Sequence, residues 1–118
     1  MDEAEAVRYL VGRLPEFEQV AGEHIQAYDE PLLHVLMGDL GRFYMERARL
    51  DPELTSRYWQ AVEVLATDGD AGVKNAVAAS LMEWFAWGDV SEKAALRDAM
   101  NDLGPNTREA GRSYLDDL

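Results

Sequence analysis

The chain has 118 residues, 47% hydrophobic and 29% charged, a size and balance that suit one domain, residues 1–118, with a single core. Its 23 acidic residues against 11 basic ones give a net charge of −12. That disfavours bare nucleic acid and anionic membrane, which need positive charge facing phosphate, and it draws in basic proteins over long range. The chain has no cysteine, which excludes disulfides and thiol catalysis and fits a reducing compartment.

No apolar run approaches the roughly 20 residues that span a bilayer. The start, MDEAEAVRYL, is acidic where a signal peptide is basic, so a cytoplasmic location is expected. The first helix is predicted over residues 2–14, with Val7, Leu10, Val11 and Leu14 at helical spacing and Asp2, Glu3 and Glu5 at the positive end of the helix dipole. Pro15 ends it or starts the next. A second helix over about 16–28 puts Phe17, Val20, Ala21, His24 and Tyr28 on one face, with Ile25 beside them. After a turn at Asp29-Glu30-Pro31, a third helix runs to about Leu50. Its main stripe is Leu32, Leu33, Leu36, Leu40, Phe43 and Tyr44, and a second strip holds His34, Gly38, Gly41, Met45 and Ala48. Glycine within a helix costs about 1 kcal/mol against alanine. Two on one strip imply the close approach of another backbone, for which an internal helix is favoured over a partner.

Asp51-Pro52 starts a fourth helix as N-cap and first residue, burying Leu54, Tyr58, Ala61, Val62 and Leu65, with Trp59 and Val64 off that face. Asp70 to Gly88 then reads as the central helix. At 100° per residue, Val73, Ala76, Val77, Ser80, Leu81, Trp84 and Trp87 share one face with Phe85 at its flank, while Asn75, Ala79, Met82 and Glu83 take the opposite side. Ser91 caps a sixth helix that buries Leu96, Met100 and Leu103. Gly104-Pro105 stops it, and Asn106 with Glu109 three residues on forms a capping-box pattern before a last helix burying Ala110, Tyr114, Leu115 and Leu118. No segment alternates with the period of a strand. The reading is all-α, about seven short antiparallel helices in a bundle or a HEAT-like array. The hairpin over residues 53–87 resembles a single HEAT unit through Asp70, Val73 and Lys74, with no second copy at a fixed period.

The chain holds no phosphate-binding or dinucleotide-binding glycine pattern and no H-E-x-x-H, and no nucleophile stands at catalytic spacing, so no enzyme is expected. Its two histidines, with Glu23 and Glu30 nearby, allow a metal site to be drawn across the second and third helices. The wheels argue against it, because they turn His24 into the core and His34 towards the glycine strip. No metal or cofactor is expected. Asp39, at the edge of the third helix's apolar face, needs a partner. Arg42 at i+3 and His24 across the hairpin are the candidates, and a lock between the two helices is the favoured reading. Trp59, Trp84 and Trp87 are the side chains best able to anchor an interface, although core packing is favoured for each.

From Leu14 to Tyr44 the chain reads L-P-E-F-E-x4-E-H-x3-Y-D-E-x-L-x-H-V-L-x-G-D-L-x-R-F-Y, followed later by Asn75 to Glu83 and by Leu103-Gly104-Pro105. This pattern resembles a family of small, uncharacterised, all-helical bacterial proteins associated with the immunity proteins of polymorphic toxin systems. The resemblance implies a cytosolic binder that neutralises a secreted toxin domain, often a basic nuclease. It carries over no catalytic residue, and its motif positions fall on Glu23, His24, His34, Gly38 and Asp39. With Glu30, these are the candidate binding residues. Two other readings stand beside it. One is a metal- or small-molecule-binding protein using His24, His34 and Asp39. The other is a module that self-associates through the His34-Gly38-Gly41-Met45 strip.

Overall fold

The computed structural model describes residues 1–29, 32–116 and 118. Helix α1 spans Glu3–Arg13, capped by Asp2, whose carboxylate accepts from the Glu5 N–H while the Glu5 side chain accepts from the Asp2 N–H. A 3-10 turn, Pro15–Phe17, leads into α2, Glu18–Tyr28. Helix α3 is Leu33–Glu46, followed by a 3-10 turn at Ala48–Leu50. Helix α4, Pro52–Asp68, is capped by Asp51, whose carboxylate accepts from the N–H groups of Glu53 and Leu54. The central rod follows Asp70 without a break: α5 at Ala71–Asn75, a π-helical segment at Ala76–Met82, and α6 at Glu83–Ala86. Helices α7 (Val90–Asp98), α8 (Pro105–Ala110) and α9 (Arg112–Leu115) complete the chain. Among the described residues there is no strand, and the rods pack as an all-α bundle.

The rod departs most from the sequence reading. A turn of i→i+5 bonds holds close to one residue more than an α turn, so each residue advances by about 80° instead of 100°. Seven such residues set everything beyond them back by roughly 140°. Met82, expected outside, is therefore fully buried, and Phe85 moves from the flank to the centre of the core. Trp87, expected inside, is 73% exposed, and Ser80 and Trp84 are half-buried at the margin.

The rod packs most extensively against α3, and the glycine strip explains how. A Cβ on Gly41 would fall inside the Trp84 ring, whereas one on Gly38 would sit 3.8 Å from the edge of the same indole. The close neighbour at Gly41 is thus internal. The rod also packs on α4, α7 and α8.

An aromatic chain runs through the centre. Phe17 packs on Phe43 with ring centroids 5.3 Å apart, Tyr44 on Tyr58 at 4.8 Å and on Trp59 at 5.2 Å, and Trp59 on Phe85 at 5.9 Å. It joins the first 3-10 turn, α3, α4 and the rod. The Tyr58 hydroxyl donates to the Leu40 carbonyl at 2.9 Å, and burial pushes its pKa well above the ordinary value. Trp59, although off the main stripe of its helix, is wholly buried because α4 touches neighbours on two sides.

Smaller corrections have local causes. The α3 helix ends at Glu46 because Arg47 leaves helical geometry, and the Ala48 carbonyl is taken by the Thr55 hydroxyl of α4. Helix α2 lies at the edge of the bundle, so Tyr28 and Ile25 are exposed where burial was expected. Asp89, not Ser91, caps α7, accepting from the Glu92 N–H. No capping box forms between Asn106 and Glu109. The start of α8 is capped from another helix, by the Glu63 carboxylate, which accepts from the N–H groups of Asn106 and Thr107 and from the Thr107 hydroxyl. The last predicted helix is divided at Gly111 into α8 and α9.

Two carboxylates bind distant elements together. Arg57 of α4 forks onto Glu16 at 3.0 and 2.6 Å and also holds the Arg13 carbonyl at 3.1 Å. The guanidinium's hydrogen bonds lower the Glu16 pKa to about 2. For Glu63, burial raises the pKa, but the combined hydrogen bonds from Thr107 and Asn106 outweigh it and hold the carboxyl below its ordinary value. Both pKa values are lower folded than unfolded, so their stabilisation is present above the ordinary carboxylate range and lost as pH falls through the folded values. Urea melts should show stability level from pH 7 to about 5.5, then falling towards pH 2, and the fall should be shallower in Glu16→Gln and Glu63→Gln.

The two helical glycines should also separate. Gly41→Ala should displace Trp84 and cost about 1–3 kcal/mol. Gly38→Ala should be neutral or stabilising by up to about 1 kcal/mol, because only helix propensity changes there. Guanidinium melts of both variants measure the contrast.

Candidate functional site

The sequence-derived site residues divide into two places. His24 is buried between α2 and the head of α3, and its ring packs on Tyr28 with centroids 4.8 Å apart. The Leu32 N–H donates to His24 Nε2 at 3.1 Å. Nε2 is therefore the unprotonated nitrogen, and the proton sits on Nδ1, which faces Asp39 Oδ2 at 3.5 Å. That separation is too long for a good hydrogen bond, and Nδ1 has no closer partner among the described residues. The Asp39 carboxylate is held instead by Arg42, one turn along α3. Asp39 is thus paired with Arg42 within α3, and His24 stands beside it without a hydrogen bond across the two helices.

His34 stands elsewhere. It is exposed, and its Nδ1 is 2.7 Å from the Ser80 hydroxyl across to the rod. A shared site of His24, His34 and Asp39 is therefore not formed, because the turn of α3 sends His34 and Asp39 to different faces. Glu23 is exposed on α2 and accepts from Gln19 at 3.3 Å. Glu30 lies outside the described residues. Among the described residues, no group of three or more histidine, aspartate or glutamate side chains is placed to hold a metal ion.

His34 and Gly38 belong to an open groove of about 460 Å³ between α3 and the rod, walled also by Val35, Ser80, Glu83, Trp84, Trp87 and Glu92. The π segment creates this groove by turning Trp87 out. Glu83 lines it with a fixed carboxylate, since the Tyr114 hydroxyl donates to Oε2 at 3.1 Å. Glu92 reaches it over Gly88, whose missing Cβ leaves room for the Glu92 side chain. The Glu92 carboxyl is raised above its ordinary pKa, first by its hydrogen bond to Asp89 and then by desolvation, and Asp89 is correspondingly lowered.

A serine hydroxyl on an imidazole nitrogen is a nucleophile-base pairing in outline. The backbone N–H groups around Ser80 lie within the rod's helical segment. What the groove does present is indole surface, one imidazole and two carboxylates. Sequence reasoning missed Ser80, Glu83 and Glu92. Only the 46-residue separation between His34 and Ser80, closed by packing, brings them into one place.

Fold and groove together define a small all-α protein with an acidic, tryptophan-walled recess. The chain belongs to the family of a domain of unknown function, DUF7674, which it matches over residues 7–116. No curated protein and no solved structure matches it. No helix among the described residues is long and apolar enough to cross a membrane.

The two histidines should differ in what they support. His24→Ala removes a buried ring and leaves the Leu32 N–H and Asp39 without it, which should cost about 2–4 kcal/mol in urea unfolding. His34→Ala, at an exposed position, should cost less than about 1 kcal/mol.

Proposed function

We propose that the protein is an acidic protein-binding module whose partner docks in the groove between α3 and the rod. One observation carries this reading: Trp87 stands 73% exposed at the rim of a recess that also holds exposed Val35 and the carboxylates of Glu83 and Glu92. Tryptophan is enriched at the hot spots of protein interfaces, and aromatic surface beside fixed negative charge suits a basic partner. The net charge of −12 supports the same choice by speeding the encounter with such a partner.

The motif resemblance extends the reading. The partner is then a basic toxin domain, and the protein is the cytoplasmic immunity protein that covers the toxin's cleft. The self-association reading has less behind it, since Trp84 fills its strip at Gly41.

The test is surface plasmon resonance against recombinant basic toxin domains of polymorphic toxin systems. A 1:1 complex is expected, with an association rate falling about tenfold or more between 50 and 500 mM salt. Trp87→Ala and Glu83→Lys, folded as judged by circular dichroism, should each weaken binding about tenfold or more. A salt-independent association rate, or full affinity in both variants, overturns the proposal.

A further inference from the structure

We infer that the end of the groove formed by Trp87, Glu83 and Glu92 receives an arginine side chain of the partner. The inference rests on the protein-binding reading above and adds the residue recognised. Trp87 meets Tyr114 edge-on, with centroids 6.3 Å apart and planes at 80°, an arrangement that steadies the indole while its exposed surface stays free to stack. Glu83 is oriented by the Tyr114 hydroxyl through Oε2, which leaves Oε1 to accept from a ligand. Glu92 lies over Gly88 and lines the same groove as the indole. A flat cation can therefore stack on the ring while its edge donates to carboxylates that are already positioned.

Those requirements favour guanidinium over ammonium. Guanidinium is planar, weakly hydrated and carries donors in a fork, whereas ammonium is a compact and strongly hydrated point charge. Trp87 also lines a second recess, with Lys93, Arg97, Tyr114 and Leu118. The basic side chains Lys93 and Arg97 line that recess and not the groove, so a cation is directed to the groove.

The probe is N-acetyl-arginine amide, titrated into the full chain and read by the indole N–H resonances in nitrogen-15 NMR spectra. Trp87 and the backbone amides of Glu83 and Gly88 should shift, while the Trp59 indole stays still. The citrulline analogue, neutral but of the same shape, should leave Trp87 unmoved, and the lysine analogue should bind about threefold or more weakly. Glu83→Gln and Glu92→Gln should each weaken the arginine response about threefold or more. A silent Trp87 at about 50 mM probe, or an equal response to citrulline, overturns the inference. If the arginine probe is silent while Glu83→Lys loses the toxin partner, the inference falls and the protein-binding reading stands. If arginine moves Trp87 while toxin association ignores salt and both groove variants, that reading falls and the arginine site stands.

Discussion

The seating of the Trp84 indole on Gly41 is the contact on which the rest of the bundle depends. It lets α3 and the central rod approach at the distance of a backbone against a ring, and this pair of elements shares the largest contact in the molecule. The approach requires the rod to present Trp84 sideways and Phe85 inward. A regular α-helix of this sequence would present Trp84 and Trp87 inward and leave Met82 in water. The seven π-helical residues resolve the conflict by delaying the rotation of everything after Asn75. One local departure from α geometry thus completes the aromatic core and puts an indole on the surface.

The polar locks around this core work by a different economy, that of satisfying helix ends and carboxylates together. Asp2, Asp51, Asp70 and Asp89 cap the helices they precede, and Glu63 caps α8 from another helix. Arg57 ties α4 to Glu16 and to the end of α1. Several of the acidic groups behind the charge of −12 are therefore structural, each neutralised by N–H dipoles or a guanidinium. Glu83 and Glu92 line an open recess, which is why the proposed partner is placed there and not on the surface as a whole.

Most of the fold was legible because short-range rules govern it. The cap at Asp51, the stripes of α1, α3 and α4, and the pairing of Asp39 with Arg42 all follow from spacings of three or four residues. The internal cover of the glycine strip was legible as a need, though not as Trp84. What escaped depended on contacts distant in sequence or on a changed helical pitch. Glu63 reaches an N-terminus more than 40 residues away, and its presence makes the Asn106-Glu109 box unnecessary. Ser80 meets His34 only after folding. The wheel for the rod assumed 100° per residue, so every position after the π segment was assigned to the wrong side or the wrong margin. The groove lies at that boundary, and so the motif residues His34 and Gly38 could be noticed in the sequence while Glu83, Trp87 and Glu92 could not be joined to them.

The phase of the rod is the central claim, and the accessibility of the three indoles tests it most directly. Photochemically induced nuclear polarisation with a flavin dye enhances only tryptophans that the dye can touch. The structure predicts strong enhancement of Trp87, weak enhancement of Trp84 and none of Trp59. Strong enhancement of Trp84 with a silent Trp87 would mean that the rod keeps an α-helical phase, and it would contradict both the groove and the function built on it.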